Sequence, residues 1–177
     1  MSSRRALFAL GLPLLAAGCG FRPLHGRNSA ESAEVIAGFD ATRVGLIGER
    51  HGQLMRRRLE EELERARARR ADARYELRVL LGYGLEVQGF RRDGTPSRVR
   101  FSANASWFLY DNGAPPRELA SGRERASDAY DIPENQFFAA DAARDTMERR
   151  LVDQLSGDII QNLAIYFRSA ARTPTPS

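Results

Sequence analysis

Tyr75-Glu76-Leu77-Arg78-Val79-Leu80-Leu81-Gly82-Tyr83-Gly84-Leu85-Glu86-Val87-Gln88 repeats with a period of two. Tyr75, Leu77, Val79, Leu81, Tyr83, Leu85 and Val87 fall on one face, and Glu76, Arg78, Gly82, Gly84, Glu86 and Gln88 on the other. Successive side chains of a strand point to opposite faces, so this pattern predicts one long strand with one apolar side. Downstream, Arg91-Arg92-Asp93-Gly94-Thr95-Pro96 supplies Asp-Gly and Pro turn chemistry. The alternation then resumes in Val99, Phe101, Ala103, Ala105, Trp107 and Leu109. Asp111-Asn112-Gly113-Ala114-Pro115-Pro116 closes that second strand, and Glu118 to Tyr130 is a third, more polar one suited to a sheet edge. The expectation is a three-stranded antiparallel meander.

A sheet with one apolar face needs a cover, and the flanking sequence provides two helical patterns. From about Gln53 to Arg70, Met55, Leu59, Leu63 and Ala66 recur at spacings of four, four and three, with Arg and Glu triplets on the other faces. From Ile132 to about Arg168, Phe137, Ala140, Met147, Leu151, Leu155, Ile159, Leu163 and Phe167 keep a helical period, with Gly157 a weak point. Thr42 to Gly48 reads as a short first strand. The fold expected is α+β, a two-layer sandwich: a mostly antiparallel sheet of about four strands covered on one face by two helices. Leu77, Val79, Leu81 and Leu85 should lie beneath them.

Outside this domain, expected over 38–170, the chain changes character. Arg4-Arg5, an apolar run from Ala6 to Ala17, and Gly18 precede Cys19, the only cysteine. A basic start, a short apolar run and small residues before a lone cysteine read as a signal peptide, 1–18, ending in a lipobox. The position three before the cysteine, usually Leu, is Ala16 here. The run is shorter than the roughly 20 residues a membrane-spanning helix needs. Diacylglycerol on the Cys19 thiol and an acyl chain such as palmitate on the new amine would anchor the mature protein stably, since two or more chains suffice. Residues 19–37 read as the lipidated anchor and a tether, and 171–177 as a disordered tail.

Composition excludes more than it assigns. The chain has 27 cationic against 23 anionic side chains, a net of +4, with two of the cations in the leader. Every cation is Arg. Arg forks suit phosphate and carboxylate, but coding bias explains the missing Lys more cheaply, and nothing points to nucleic acid. A lone cysteine excludes an intrachain disulfide. His25 and His51 have no further His or Cys at metal-ligand spacing, so each reads as a solvated or capping histidine. No serine sits in a nucleophile elbow. Gly82, Gly84 and Gly89 lie within a strand pattern and read as sheet irregularities rather than a phosphate loop. Carboxylates interleave with Arg on helix faces, which is the pattern of solvated pairs. The reading is therefore a non-enzyme with no catalytic residue, metal or cofactor. One cluster stands out: Arg91, Arg92, Arg98 and Arg100 crowd a hairpin tip beside Phe90 and Phe101, and only Asp93 offsets them locally. Such a turn could grip an anionic, partly apolar ligand such as a phosphorylated lipid.

The segment Leu15-Ala16-Ala17-Gly18-Cys19-Gly20-Phe21-Arg22-Pro23-Leu24-His25-Gly26 resembles the anchor of LptE-type LPS-assembly lipoproteins, where a Gly-aromatic pair and a basic residue follow the lipidated cysteine. The order of elements is similar too. The resemblance implies an outer-membrane, periplasm-facing lipoprotein without catalytic activity. It implies a position largely inside the LptD β-barrel and binding of lipopolysaccharide through basic residues near one end of the sheet. Arg91, Arg92, Arg98 and Arg100 are the nearest equivalents. Gly20 rather than Asp after the cysteine fits release to the outer membrane. An auxiliary lipoprotein of an intermembrane phospholipid-transport system is the alternative.

Overall fold

The computed structural model describes residues 30–66, 73–134 and 136–172. Cys19, His25, the leader and most of the terminal tail lie outside the described residues. The elements follow as α1 (Ala30–Asp40), β1 (Thr42–Val44), α2 (Glu49–Ala66), β2 (Tyr75–Phe90), β3 (Pro96–Asp111), β4 (Glu118–Asp131) and α3 (Phe137–Arg172). The strands form one sheet in the order β1-β2-β3-β4. The meander is antiparallel as expected, and β1 makes the sheet mixed by pairing parallel to β2. A parallel neighbour requires a crossover, and α2 supplies it.

The alternation in β3 decides which face is inside: Val99, Phe101, Ala103, Ala105, Trp107 and Leu109 are all buried. Against them lie Met55, Leu59 and Leu63 of α2 and Met147, Leu151, Leu155, Ile159 and Leu163 of α3. The small residues of the sheet make room for large ones. A Cβ on Gly122 would stand 2.7 Å from the Trp107 ring, so the indole lies flush on the β4 backbone. Trp107 Nε1 donates to Glu124 Oε1 at 3.1 Å.

Several expectations are corrected. A helix, α1, occupies the end of the stretch read as tether, and three helices rather than two pack in the helical layer. Phe39 meets Phe167 edge-on, and a Cβ on Gly38 would clash with the same ring at 2.4 Å. Thr42 Oγ1 donates to the Gly38 carbonyl at 2.6 Å and closes the end of α1. The first strand stops at Val44, four residues short. The last helix starts at Phe137, leaving Phe137 and Phe138 exposed, and runs unbroken through Gly157. On β2 the apolar face outruns its cover. Leu77 and Val79 are buried, Leu81 and Tyr83 are half-buried, and Leu85 is 61% exposed. Of the three glycines, Gly89 sits at register shifts, whereas Gly82 and Gly84 pair regularly.

Candidate functional site

The hairpin between β2 and β3 is a tight, self-capped turn. Gly94 adopts φ +83°, open to glycine at little cost. Asp93 Oδ1 accepts from the Thr95 amide at 3.0 Å and its hydroxyl at 2.7 Å, and these bonds, the amide first, hold the carboxyl below its ordinary range. Around that turn the four arginines take different parts. Arg91 is half-buried and donates to the Pro96 carbonyl at 3.0 Å and to the Ile132 carbonyl, tying the hairpin to the connection between β4 and α3. Arg98 pairs with Asp131 at 2.7 Å across the β3–β4 ladder. Arg100 reaches Glu86 at 3.9 Å, and the Gln88 amide oxygen, turned towards it, accepts from its guanidinium at 2.9 Å. Arg92 alone of the four has no ion pair or hydrogen bond among the described residues.

Arg98 and Arg100 belong to the sheet face turned away from the helices. On that face β3 also carries Ser102, Asn104, Ser106, Phe108 and Tyr110, and β4 carries Ser127, Arg125 and Arg123 beside them. Arg123 and Arg125 are exposed and without an ion pair among the described residues. Arg125 stands opposite Asn104, and Arg100 opposite Ala129, four residues along β4, so the two guanidinium stems are rooted roughly 13 Å apart along the sheet. The face is a serine-lined floor rimmed by Arg100, Arg123 and Arg125, with Arg92 exposed in the adjoining turn. Phe108 and Tyr110 stack at its far end at 6.4 Å, with Arg78 4.8 Å over the Tyr110 ring. Sequence reading missed Arg123 and Arg125 because β4 was judged as a polar edge; their i, i+2 spacing with Ser121 and Ser127 was the available signal.

His51 proves neither solvated nor a cap. Its Nε2 lies 3.1 Å from Glu148 Oε2, joining α2 to α3, and its ring packs on Tyr83 at 4.7 Å. Burial pushes the Tyr83 hydroxyl up to about 12. These groups lie on the helical side of the sheet, so they belong to the packing between layers.

The LptE lipopolysaccharide-assembly family matches residues 35–163 of the chain. The chain belongs to this family. Among solved structures, it is similar to a protein described as a lipoprotein from Caulobacter crescentus CB15, with a TM-score of 0.59 and 24% identity over 77% of this chain and 97% of that one. Rare lipoprotein B from Shewanella oneidensis superposes with a TM-score of 0.51 at 12% identity, covering 70% of this chain and 92% of that one. Lipoprotein B from Nitrosomonas europaea gives 0.54 at 14%, covering 71% and 82%. At such identities these neighbours speak for the fold. No curated protein sequence matches the chain. Family membership assigns the LptE-like chain a role in lipopolysaccharide assembly and the character of a membrane-associated lipoprotein. No helix among the described residues is long and apolar enough to cross a membrane.

Proposed function

We propose that the protein is an outer-membrane lipoprotein, anchored through Cys19, that binds lipopolysaccharide and works as the partner of an LptD-like β-barrel. The family match over residues 35–163 is the observation that carries this reading. The uncovered sheet face supports it chemically. Lipid A and the inner core present phosphates, and guanidinium forks make charge-assisted, two-pronged bonds to them. Among the described residues, Arg92, Arg123 and Arg125 have no carboxylate to give up before doing so. Arg98 and Arg100 do, at Asp131 and Glu86, and Arg91 is committed to the Pro96 and Ile132 carbonyls; in this reading Arg91 and Arg98 hold the hairpin in shape. Ser102, Ser106 and Ser127 add hydroxyls to the same face as the cations.

The test is binding of purified lipopolysaccharide to the purified lipoprotein. Arg123→Glu with Arg125→Glu, and Arg92→Glu with Arg100→Glu, should each weaken binding by about tenfold or more. Arg57→Glu with Arg149→Glu changes net charge equally on the helical side, where both residues are exposed, and should leave binding within about twofold. Equal loss in all three would reduce binding to bulk electrostatics. The barrel is tested separately: affinity capture from outer membranes should bring down a large β-barrel, and capture of inner-membrane transporter subunits instead would sink that part.

A further inference from the structure

The uncovered sheet face has a relief set by side-chain size. Its middle carries only small residues: Ser102, Asn104 and Ser106 on β3, Gly82 and Gly84 on β2, and Ser127 on β4. Larger side chains stand around them. Arg98 and Arg100 close the hairpin end, Phe108 and Tyr110 the other, and Arg123 and Arg125 stand on β4 opposite Ser106 and Asn104. The result is a shallow trough across three strands, roughly 10 Å wide, with Arg100 and Phe108 rooted roughly 26 Å apart along β3. Gly82 is exposed, and a Cβ there meets nothing within 4 Å, so the β2 side of the trough is open.

The lining is chemically selective. Hydroxyls and amides both donate and accept hydrogen bonds, and the side chains of Asn104, Ser106 and Ser127 have no partner among the described residues. Ser102 has only a long bond of 3.4 Å to the Gly84 carbonyl. Leu80 is the single large aliphatic side chain that the strand pairing places on this face, so hydrocarbon finds little to pack against. Phe108 is half-buried and lies two residues from Ser106, beside the trough, whereas Arg78 covers the Tyr110 ring from 4.8 Å. Sugar rings present C–H groups of slight positive charge, which pack on the negative face of an aromatic ring. Arg123 and Arg125, rooted roughly 7 Å apart, are close enough for both forks to engage one anionic group.

We propose that the trough seats the saccharide part of the lipopolysaccharide rather than its acyl chains. The occupant is a phosphorylated or carboxylated oligosaccharide with a sugar ring against Phe108, hydroxyls on Asn104, Ser106 and Ser127, and anionic groups on Arg123 and Arg125. This rests on the lipopolysaccharide reading and deepens it by naming the part of the molecule that is held. Charge complementarity selects the occupant. A neutral glycan would leave the two guanidinium groups unanswered, and an acyl chain would cover hydroxyls and an amide that then lose their water without gaining a partner. A protein surface would bring apolar side chains to a floor where only Leu80 meets them. An acidic saccharide satisfies the cations, the hydroxyls and the ring together.

The test measures binding of three probes to the purified full-length lipoprotein: whole lipopolysaccharide, the water-soluble core oligosaccharide freed of lipid A by mild acid, and lipid A alone. The core oligosaccharide should bind and should displace whole lipopolysaccharide. Phe108→Ala should weaken its binding about tenfold. Gly82→Phe should do the same by filling the trough, from a position with open space and no left-handed backbone to strain. Phe138→Ala, exposed at the start of α3, should leave binding within about twofold. Trp107 fluorescence reports whether each variant is folded, and Gly82→Phe decides the matter if Phe108→Ala is not. Binding of lipopolysaccharide and lipid A without the oligosaccharide would overturn this proposal and leave the lipopolysaccharide reading standing. Binding of none of the three would overturn both. Oligosaccharide binding that folded Phe108→Ala and Gly82→Phe leave untouched would put the saccharide elsewhere and overturn the proposal as well.

Discussion

Three leucines on one face of one strand give the sharpest test of how far the helical layer reaches. Leu77 is fully buried, stands opposite the fully buried Leu109, and has Val44 of β1 on its other side. Truncating it to Ala leaves a cavity hemmed in by both neighbours, which the surroundings cannot fill, so the cost should be about 2–5 kcal/mol. Leu81, half-buried, has less to lose, and Leu81→Ala should cost about 1 kcal/mol. Leu85 is 61% exposed, and Leu85→Ala should fall within about 0.5 kcal/mol. For a domain of this size these translate to a melting point lower by about 5–15 °C for Leu77→Ala and nearly unchanged for Leu85→Ala. The chain contains one tryptophan, Trp107, which is buried under the helices, so denaturant unfolding can be followed by its fluorescence. Equal losses at Leu77 and Leu85 would refute the reasoning, because they would mean the helices cover the whole strand.

Gly122→Ala should destabilise by about 1–3 kcal/mol and shift the Trp107 emission, since the added Cβ would stand 2.7 Å from the ring; an unchanged spectrum and melting point would contradict the close approach. Burial pushes the Glu148 carboxyl up, but the bonds from His51 and Arg144 outweigh it and hold the group below its ordinary 4.5. A folded value below the unfolded one adds stability that is present above about pH 4.5 and is lost as pH falls through the folded value. Glu148→Gln should therefore lower stability at neutral pH and flatten the acid limb of a stability-versus-pH curve; an acid limb as steep as in the parent would count against this. Cys19→Ala should leave the domain folded and move it from the membrane to the soluble fraction or leave it unprocessed, read by fractionation; a membrane-bound, unacylated variant would place the anchor elsewhere.

The antiparallel meander and its inner face were legible in the sequence, because a period of two and the turn residues between strands need no knowledge of distant residues, whereas the parallel place of β1 beside β2 was not. Nor was what covers each part of the strand. Leu77 and Leu85 occupy the same phase of the same alternation, and only the placement of α2 and α3 makes one buried and the other exposed. The short helix α1 was missed for a related reason. Its sequence, Ala-Glu-Ser-Ala-Glu-Val-Ile-Ala-Gly-Phe-Asp, has only three large apolar residues, Val35, Ile36 and Phe39, and no long stripe, and an isolated helix of that length is marginal in water. Contacts made elsewhere hold it, chiefly Gly38 and Phe39 against Phe167 at the other end of the chain.

The arginine cluster shows the same limit in electrostatic form. Counted along the chain, Arg91, Arg92, Arg98 and Arg100 have one anion among them, Asp93, and appear as four equal donors for a ligand phosphate. Folding changes the count. Antiparallel register brings Asp131 to Arg98, 33 residues away, and Glu86 to Arg100, while the Ile132 carbonyl engages Arg91 from 41 residues away. Asp93 spends its oxygens on Thr95 rather than on any arginine. A guanidinium that must first release a carboxylate contributes to a ligand only the difference between the two bonds. Among the described residues the cations able to contribute fully are the unpaired ones, so the centre of the basic surface moves off the hairpin tip and onto the open face of β4, at Arg123 and Arg125.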